Sequence, residues 1–121
     1  MDVCVSAERE GLFLIACPEQ MEWPARRDLV ETFRAATAGQ DVRGAIIDLH
    51  QVTHINSAGL GAIFALRRHL ADIAAPLVVA RPSVAISRLL TIVNLPALIP
   101  VVDTLDQARS RLDSIPRADT N

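Results

Sequence analysis

The chain contains no lysine and no tyrosine: its twelve cationic residues are all arginine, and its aromatic residues are one tryptophan and three phenylalanines, at positions 13, 33 and 64. A nucleic-acid surface needs a basic patch interleaved with aromatic stacking groups, and neither is clustered here. The formal net charge of −2 supplies no long-range attraction to nucleic acid or to anionic lipid. No apolar run approaches the roughly 20 residues needed to span a bilayer, so direct membrane insertion is not expected. No charged segment, apolar stretch and cleavage site open the sequence, and the expected compartment is therefore the cytoplasm. The two cysteines, Cys4 and Cys17, fall in or beside strand-like runs. Free cysteine favours interiors, so both are expected to be reduced, buried and inert. Paired carboxylates in apolar surroundings, which tune acid–base catalysis, are also missing.

What is present is apolar periodicity. Half of the 121 residues are hydrophobic, and a chain of this length can bury roughly two thirds of its unfolded surface, enough for one domain over residues 1–121 with a frayed polar tail at 116–121. Residues 3–5 and 11–16, either side of the charged turn Glu8–Gly11, read as a β-hairpin. From Pro24 the period changes: Leu29, Val30, Phe33 and Ala36 share one helical face, Arg26, Arg27, Glu31 and Arg34 fall elsewhere, and Gly39 is a natural stop. "GAIIDL" at 44–49 reads as a strand buried on both faces. A helix over about 58–74 follows, with Leu60, Ile63, Phe64, Leu66, Leu70 and Ile73 inward, then a strand at 76–80. Ser83 opens a helix with Ile86, Leu89, Leu90 and Val93 inward that ends near Asn94; a short strand occupies 99–102. Thr104 and Gln107 form a capping box for a last helix with Leu105, Ala108, Leu112 and Ile115 inward. The fold class is α/β, a mixed and mostly parallel sheet of about five strands with about four helices.

The chemistry-bearing stretch is "THINSAGLGAIFALRRHL" at 53–70, where a serine and two glycines mark a strand-to-helix junction. A hydrolase nucleophile elbow needs glycine two positions either side of the serine, and residues 55–59 are Ile-Asn-Ser-Ala-Gly. No histidine follows His69 to serve as a downstream base, so no catalytic residue is assigned and the protein is not expected to be an enzyme. "GLGAIF" fails as a dinucleotide fingerprint, since Phe64 fills the third small position and no acid lies near 78–81. His50 and His54 read as polar loop residues, with no Cys or carboxylate pair to complete a metal site. No metal or other cofactor is expected.

Two compatible readings of Ser57 remain. Either Asn56 or Ser57 caps the helix, at a gain of about 1 kcal/mol, or the Ser57 hydroxyl is a phosphorylation site whose charge the free N–H groups of the helix start can accommodate. Gly59 and Gly61 each cost roughly 1 kcal/mol against alanine within a helix. Close packing of the helix against the sheet, or the approach of a partner's backbone, would offset that.

"AIIDLHQVTHINSAGLGAIFAL" at 45–66 resembles the central segment of a STAS domain of the small stand-alone anti-sigma factor antagonist kind, whose signature is Asp-Ser-[Ser/Thr/Ala]-Gly-Leu-Gly. "PLVVARPSVAISRLLTIVNL" at 76–95 and "DTLDQA" at 103–108 resemble later parts of the same family, and the likeness spans nearly the whole chain. The resemblance implies a bacterial regulator of transcription that works by partner switching. A serine-kinase anti-sigma factor with a histidine-kinase-like ATPase fold binds the unphosphorylated protein, phosphorylates Ser57 and then lets go, and a PP2C-type phosphatase resets the serine. The implied contact surface is Asn56, Ser57, Ala58, Gly59 and Gly61. An alternative implied by the same family is an accessory subunit bound to the ATPase of an ABC-type lipid transporter; a scaffold that is never phosphorylated is a third. Two departures stand out. Asn56 replaces the family's acid, losing charge while keeping capping capacity, and "CPEQMEWP" at 17–24 stands where the family's second-strand exit carries glycine followed by a short apolar-polar stretch, with Trp23 either a contact residue or a staple onto the first helix.

Overall fold

The computed structural model describes residues 3–22 and 27–114; the expectations placed on Trp23, Pro24, Arg26, Ile115 and the 116–121 tail lie outside these residues. Strands β1 (Cys4–Arg9) and β2 (Leu12–Ala16) form the antiparallel hairpin, with Cys4 opposite Ala16 and a register shift between Ala7 and Arg9. The first strand is longer than expected because the turn needs only Glu10 and Gly11, the latter at φ +76°, a backbone conformation open to glycine. A short strand β3 (Gln20–Met21) precedes helix α1 (Arg27–Ala36). Then come β4 (Gly44–Asp48), β5 (His54–Ile55), α2 (Ser57–Ala71), β6 (Leu77–Ala80), α3 (Val84–Ile92), a 3-10 turn over Leu95–Ala97, β7 (Val101–Val102) and α4 (Leu105–Ser114).

The five-stranded sheet has the order β1-β2-β4-β6-β7, parallel except for the first pair, and β3 and β5 form a separate parallel pair. Every residue of β4 is buried, so both faces of the sheet must be covered. Phe13, Ile15, Ala45, Ile47, Leu77 and Val79 point to the face carrying Leu29 and Phe33 of α1, Ile63, Leu66 and Leu70 of α2, and Ile86 and Leu90 of α3. Leu12, Ile46, Val78 and Ala80 point to the other face, under Ala108 and Leu112 of α4. The alternation along each strand thus builds two cores from one sheet. Phe13 and Phe33, twenty residues apart in sequence, meet edge to face with centroids 6.1 Å apart.

Several inward assignments shift. Ala36 is exposed, and Thr37 is buried in its stead; the Thr37 hydroxyl donates to the Phe33 carbonyl at 2.8 Å, which removes the penalty for burying it. Leu60 and Phe64 are half-buried, and Ile73 is exposed because α2 ends at Ala71, ahead of the left-handed Ala74 (φ +58°). Leu89 and Val93 are exposed together with Val84 and Ile92, so α3 meets the core through Ile86 and Leu90 only. Asn94 is left-handed (φ +62°), as its place at a helix end requires, and Ile99 closes the 3-10 turn through its N–H to Leu95 O, which shortens the last strand to two residues. The capping box forms: Gln107 N–H donates to Thr104 Oγ1 at 3.0 Å, and Gln107 Oε1 accepts from the N–H groups of Asp103 (2.9 Å) and Thr104 (3.2 Å). Arg109 to Glu8 and Arg9 to Asp113 tie α4 back to the first strand.

The cysteines differ from each other, against the expectation that both are buried: Cys17 is buried, and Cys4, on the outer strand, is exposed. Burial, with a smaller contribution from the charge of Asp48, pushes the Cys17 thiol up to about 12, well away from the thiolate form that reacts. A thiol reagent at pH 8 is expected to modify one cysteine in the native protein, Cys4, and both after denaturation; rapid loss of two thiols from folded protein would contradict this burial.

Candidate functional site

Three local structures lead up to and form the start of α2. The first is the exit of β4. Asp48 is 3% exposed, and its carboxylate accepts from Arg81 Nε at 3.1 Å, Arg81 Nη2 at 2.5 Å and the His50 backbone N–H at 3.1 Å. The bidentate hydrogen bond to Asp48 outweighs desolvation and holds the Arg81 guanidinium above its already high ordinary pKa. Arg81 reaches inward from a left-handed backbone (φ +60°), with its N–H donating to Val102 O at 3.0 Å. Leu49 N–H donates to Ala80 O and Val52 N–H to Leu49 O, so the loop after β4 is held at both its carboxylate and its backbone.

The second is a strap, residues 19–22, laid along residues 53–56. Glu19 O accepts from the N–H groups of Thr53 (2.8 Å) and His54 (3.2 Å) and from Thr53 Oγ1 (3.3 Å); Gln20 and Met21 pair with His54 and Ile55; Met21 O accepts from Asn56 N–H at 3.2 Å. The third is the helix start. Asn56 is the N-cap, in extended conformation, and its Oδ1 accepts from Gly59 N–H at 3.0 Å while its Nδ2 donates to Glu22 O at 3.0 Å. This resolves the choice between Asn56 and Ser57 as cap.

Ser57 is the first residue of α2, exposed, and its hydroxyl has no hydrogen-bond partner among the described residues. Ala58 and Gly61 are half-buried and Gly59 is buried. A Cβ added at Gly59 would lie 2.1 Å from Met21 O and 2.8 Å from Ile55 Cγ1. The cost of that glycine is thus met by the close approach of the strap's backbone, not by packing on the main sheet. From Gly61 a cleft lined by Phe64, Ala65, Arg67 and Arg68 runs on along α2. The first turn of α2 carries no acidic side chain, so the positive end of the helix dipole beside Ser57 is not offset from within that turn.

The structure therefore places Asn56 at the N-cap and Ser57, Ala58, Gly59 and Gly61 within the first two turns of one helix. His50 and His54 stay apart in role: His50 Nδ1 lies 3.6 Å from Asp48 Oδ2, and His54 Nδ1 lies 2.9 Å from Thr53 Oγ1. Among the described residues no group of three or more His, Cys, Asp or Glu could hold a metal, and no described helix is long and apolar enough to cross a membrane. Sequence reasoning missed Arg81 as the partner of Asp48. The signal was present, because an aspartate ending a strand apolar on both faces must find a cation.

The family model for the STAS domain matches residues 6–108. The chain belongs to the STAS domain family. No curated protein sequence matches it significantly. Among solved structures, the anti-sigma factor antagonist SpoIIAA in its unphosphorylated form superposes with a TM-score of 0.77 at 16% identity, covering 96% of this chain and 100% of that one. The Bacillus cell fate determinant SpoIIAA in its phosphorylated form gives 0.69 at 15% identity over 92% and 99%. An anti-sigma-factor antagonist (STAS) domain protein from Planctomyces limnophilus gives 0.75 at 17% identity over 91% and 96%. At such identities the likeness is one of fold: the four helices and the mixed five-stranded sheet are those of the STAS domain.

Two substitutions test this STAS framework. Gly59→Ala gains helix propensity of roughly 1 kcal/mol, yet must displace the Met21 carbonyl, and a net loss of about 1–3 kcal/mol is expected in urea unfolding; a stabilised variant would contradict the close approach. Arg81→Met leaves the Asp48 carboxylate buried without its cation, and a loss of roughly 2–4 kcal/mol is expected, with an unchanged midpoint as the contrary result.

Proposed function

We propose that this STAS domain is an anti-sigma factor antagonist that acts by partner switching, with Ser57 as the switch. The observation that carries the reading is the placement of Ser57: an exposed hydroxyl with no hydrogen-bond partner among the described residues, on a helix start tied to the 19–22 strap. Transfer of the γ-phosphoryl group of ATP to Ser57 Oγ forms a phosphoester and releases ADP and the hydroxyl proton. The product carries about two negative charges at neutral pH. The N–H groups of Ser57 and Ala58, ahead of the first intrahelical bond from Leu60 N–H to Asn56 O, favour an anion at this helix end, so the modification is compatible with the fold. Its effect falls on docking, because a partner must desolvate the charged surface to bind it.

In this reading the protein is a binding module and not an enzyme. Its partners are a serine-kinase anti-sigma factor with a histidine-kinase-like ATPase fold, which binds the unphosphorylated surface of Asn56, Ser57, Ala58, Gly59 and Gly61, and a PP2C-type phosphatase that restores it. The setting is transcriptional control in a bacterial cytoplasm. That SpoIIAA is known in both unphosphorylated and phosphorylated forms on the same fold supports the assignment.

The test is intact mass after incubation with ATP and the cognate kinase. One added phosphate is expected on the native sequence and none on Ser57→Ala. Ser57→Glu is expected to weaken kinase binding at least about tenfold, with one carboxylate reproducing only part of the phosphate's charge. Phosphate on both proteins, or on neither with an active kinase, sinks the switch at this residue. Partner binding indifferent to Ser57→Glu would favour the transporter-accessory or scaffold alternatives.

A further inference from the structure

The residue beside the switch carries a second inference, which deepens the reading of Ser57 as the centre of a docking surface and rests on that reading for its functional consequence. Asn56 uses both ends of its carboxamide: Oδ1 accepts from Gly59 N–H and Nδ2 donates to Glu22 O, each at 3.0 Å, while its own N–H donates to Met21 O at 3.2 Å. The strap has one side-chain tie at each end, Thr53 Oγ1 to Glu19 O and Asn56 Nδ2 to Glu22 O. Between them lies a strand pair only two residues long, too short to be stable alone. An aspartate has the same shape as asparagine and caps helices equally well. When ionised it offers only acceptors, so at this position its second oxygen would face the Glu22 carbonyl across the same 3.0 Å.

We propose that Asn56 is a positioning residue that clamps the 19–22 strap to the first turn of α2, so that the surface around Ser57 is a rigid composite of helix start and strap whose geometry an ionised aspartate cannot maintain. The clamp sets which backbone groups stand beside the switch. A partner suited to this chain therefore reads the position of the strap. Asn56 acts through Glu22 and Gly59 and takes no part in phosphoryl transfer.

The test is residue-resolved amide exchange by NMR on the unphosphorylated full chain without partner, comparing Asn56→Asp and Asn56→Ser with the native protein at pH 7 and at about pH 3.5, near the ordinary aspartate pKa. The reporting amides are those of Thr53, His54 and residue 56, which donate into the strap. At pH 7 both variants are expected to exchange there at least about fivefold faster than the native protein, from the loss of one hydrogen bond, with the amides of β4 unchanged. On acidification the Asn56→Asp side chain regains an O–H donor, and its excess exchange is expected to fall back, while that of Asn56→Ser persists. The described titratable groups on the neighbouring elements, Glu19 and Glu22 of the strap, His54 of β5, Glu31 of α1 and His69 of α2, are common to all three proteins. Comparison at equal pH therefore cancels their effect.

Native-like exchange in either variant at pH 7 overturns the clamp. So does an acceleration spread evenly over β4, or an Asn56→Asp excess that ignores pH. The experiment needs no kinase: failure of Ser57 to accept phosphate would remove the switch and leave this result standing, and the reverse holds equally.

Discussion

Burial of β4 on both faces is the constraint on which the rest of the fold depends. A strand with water on neither side must satisfy its backbone entirely in the plane of the sheet, and here β2 and β6 pair with it residue by residue. Both faces then need cover, which α1, α2 and α3 provide on one side and α4 on the other. The strand also ends on Asp48, a carboxylate that cannot stay in that interior alone. Arg81, at the end of the neighbouring strand, compensates it by adopting a left-handed backbone and turning inward. The loop that leaves β4 is thereby anchored at its root.

That anchoring bears on the proposed switch because the loop delivers Asn56 and Ser57. A second set of contacts, from the strap of residues 19–22, grips the far end of the loop and the first turn of α2. Ser57 therefore stands exposed where a loop anchored at its root meets a helix start tied to the strap. In the proposed reading, a phosphate on such a frame would change the chemistry of the surface more than the conformation beneath it, which is the property a docking switch needs. The absence of a side chain at Gly59 is what allows the strap to approach closely enough to provide half of that frame.

Much of this was legible from periodicity. The inward positions Ile63, Leu66 and Leu70 of α2 repeat at three and four and are buried as their spacing requires, and Thr104 and Gln107 announced a capping box that forms with both reciprocal bonds. Where periodicity misled, a nearby polar or backbone feature had intervened. Thr37 displaced Ala36 from the core because its hydroxyl could bond the preceding turn, and Ile73 fell outside α2 because the chain turns left-handed at Ala74. Leu89 and Val93 lie on a face of α3 that the described core does not reach.

The sequence by itself determined the order of the longer strands and helices, the buried central strand and the helix that follows the serine, because each of these is written in local spacing, and the resemblance of the surrounding motif pointed to the family. Only the tertiary structure decided why Gly59 is a glycine, which side chain caps α2, what neutralises Asp48 and how the 19–22 strap meets the helix start. Apart from the local cap bond from Gly59 N–H to Asn56 Oδ1, these depend on groups far apart in sequence, Asp48 with Arg81, Glu22 with Asn56 and Met21 with Gly59, and on strands of two residues, too short to show any period. Local pattern signals that Asp48 needs a cation but not which one, and such contacts exist only once the sheet has brought its ends together.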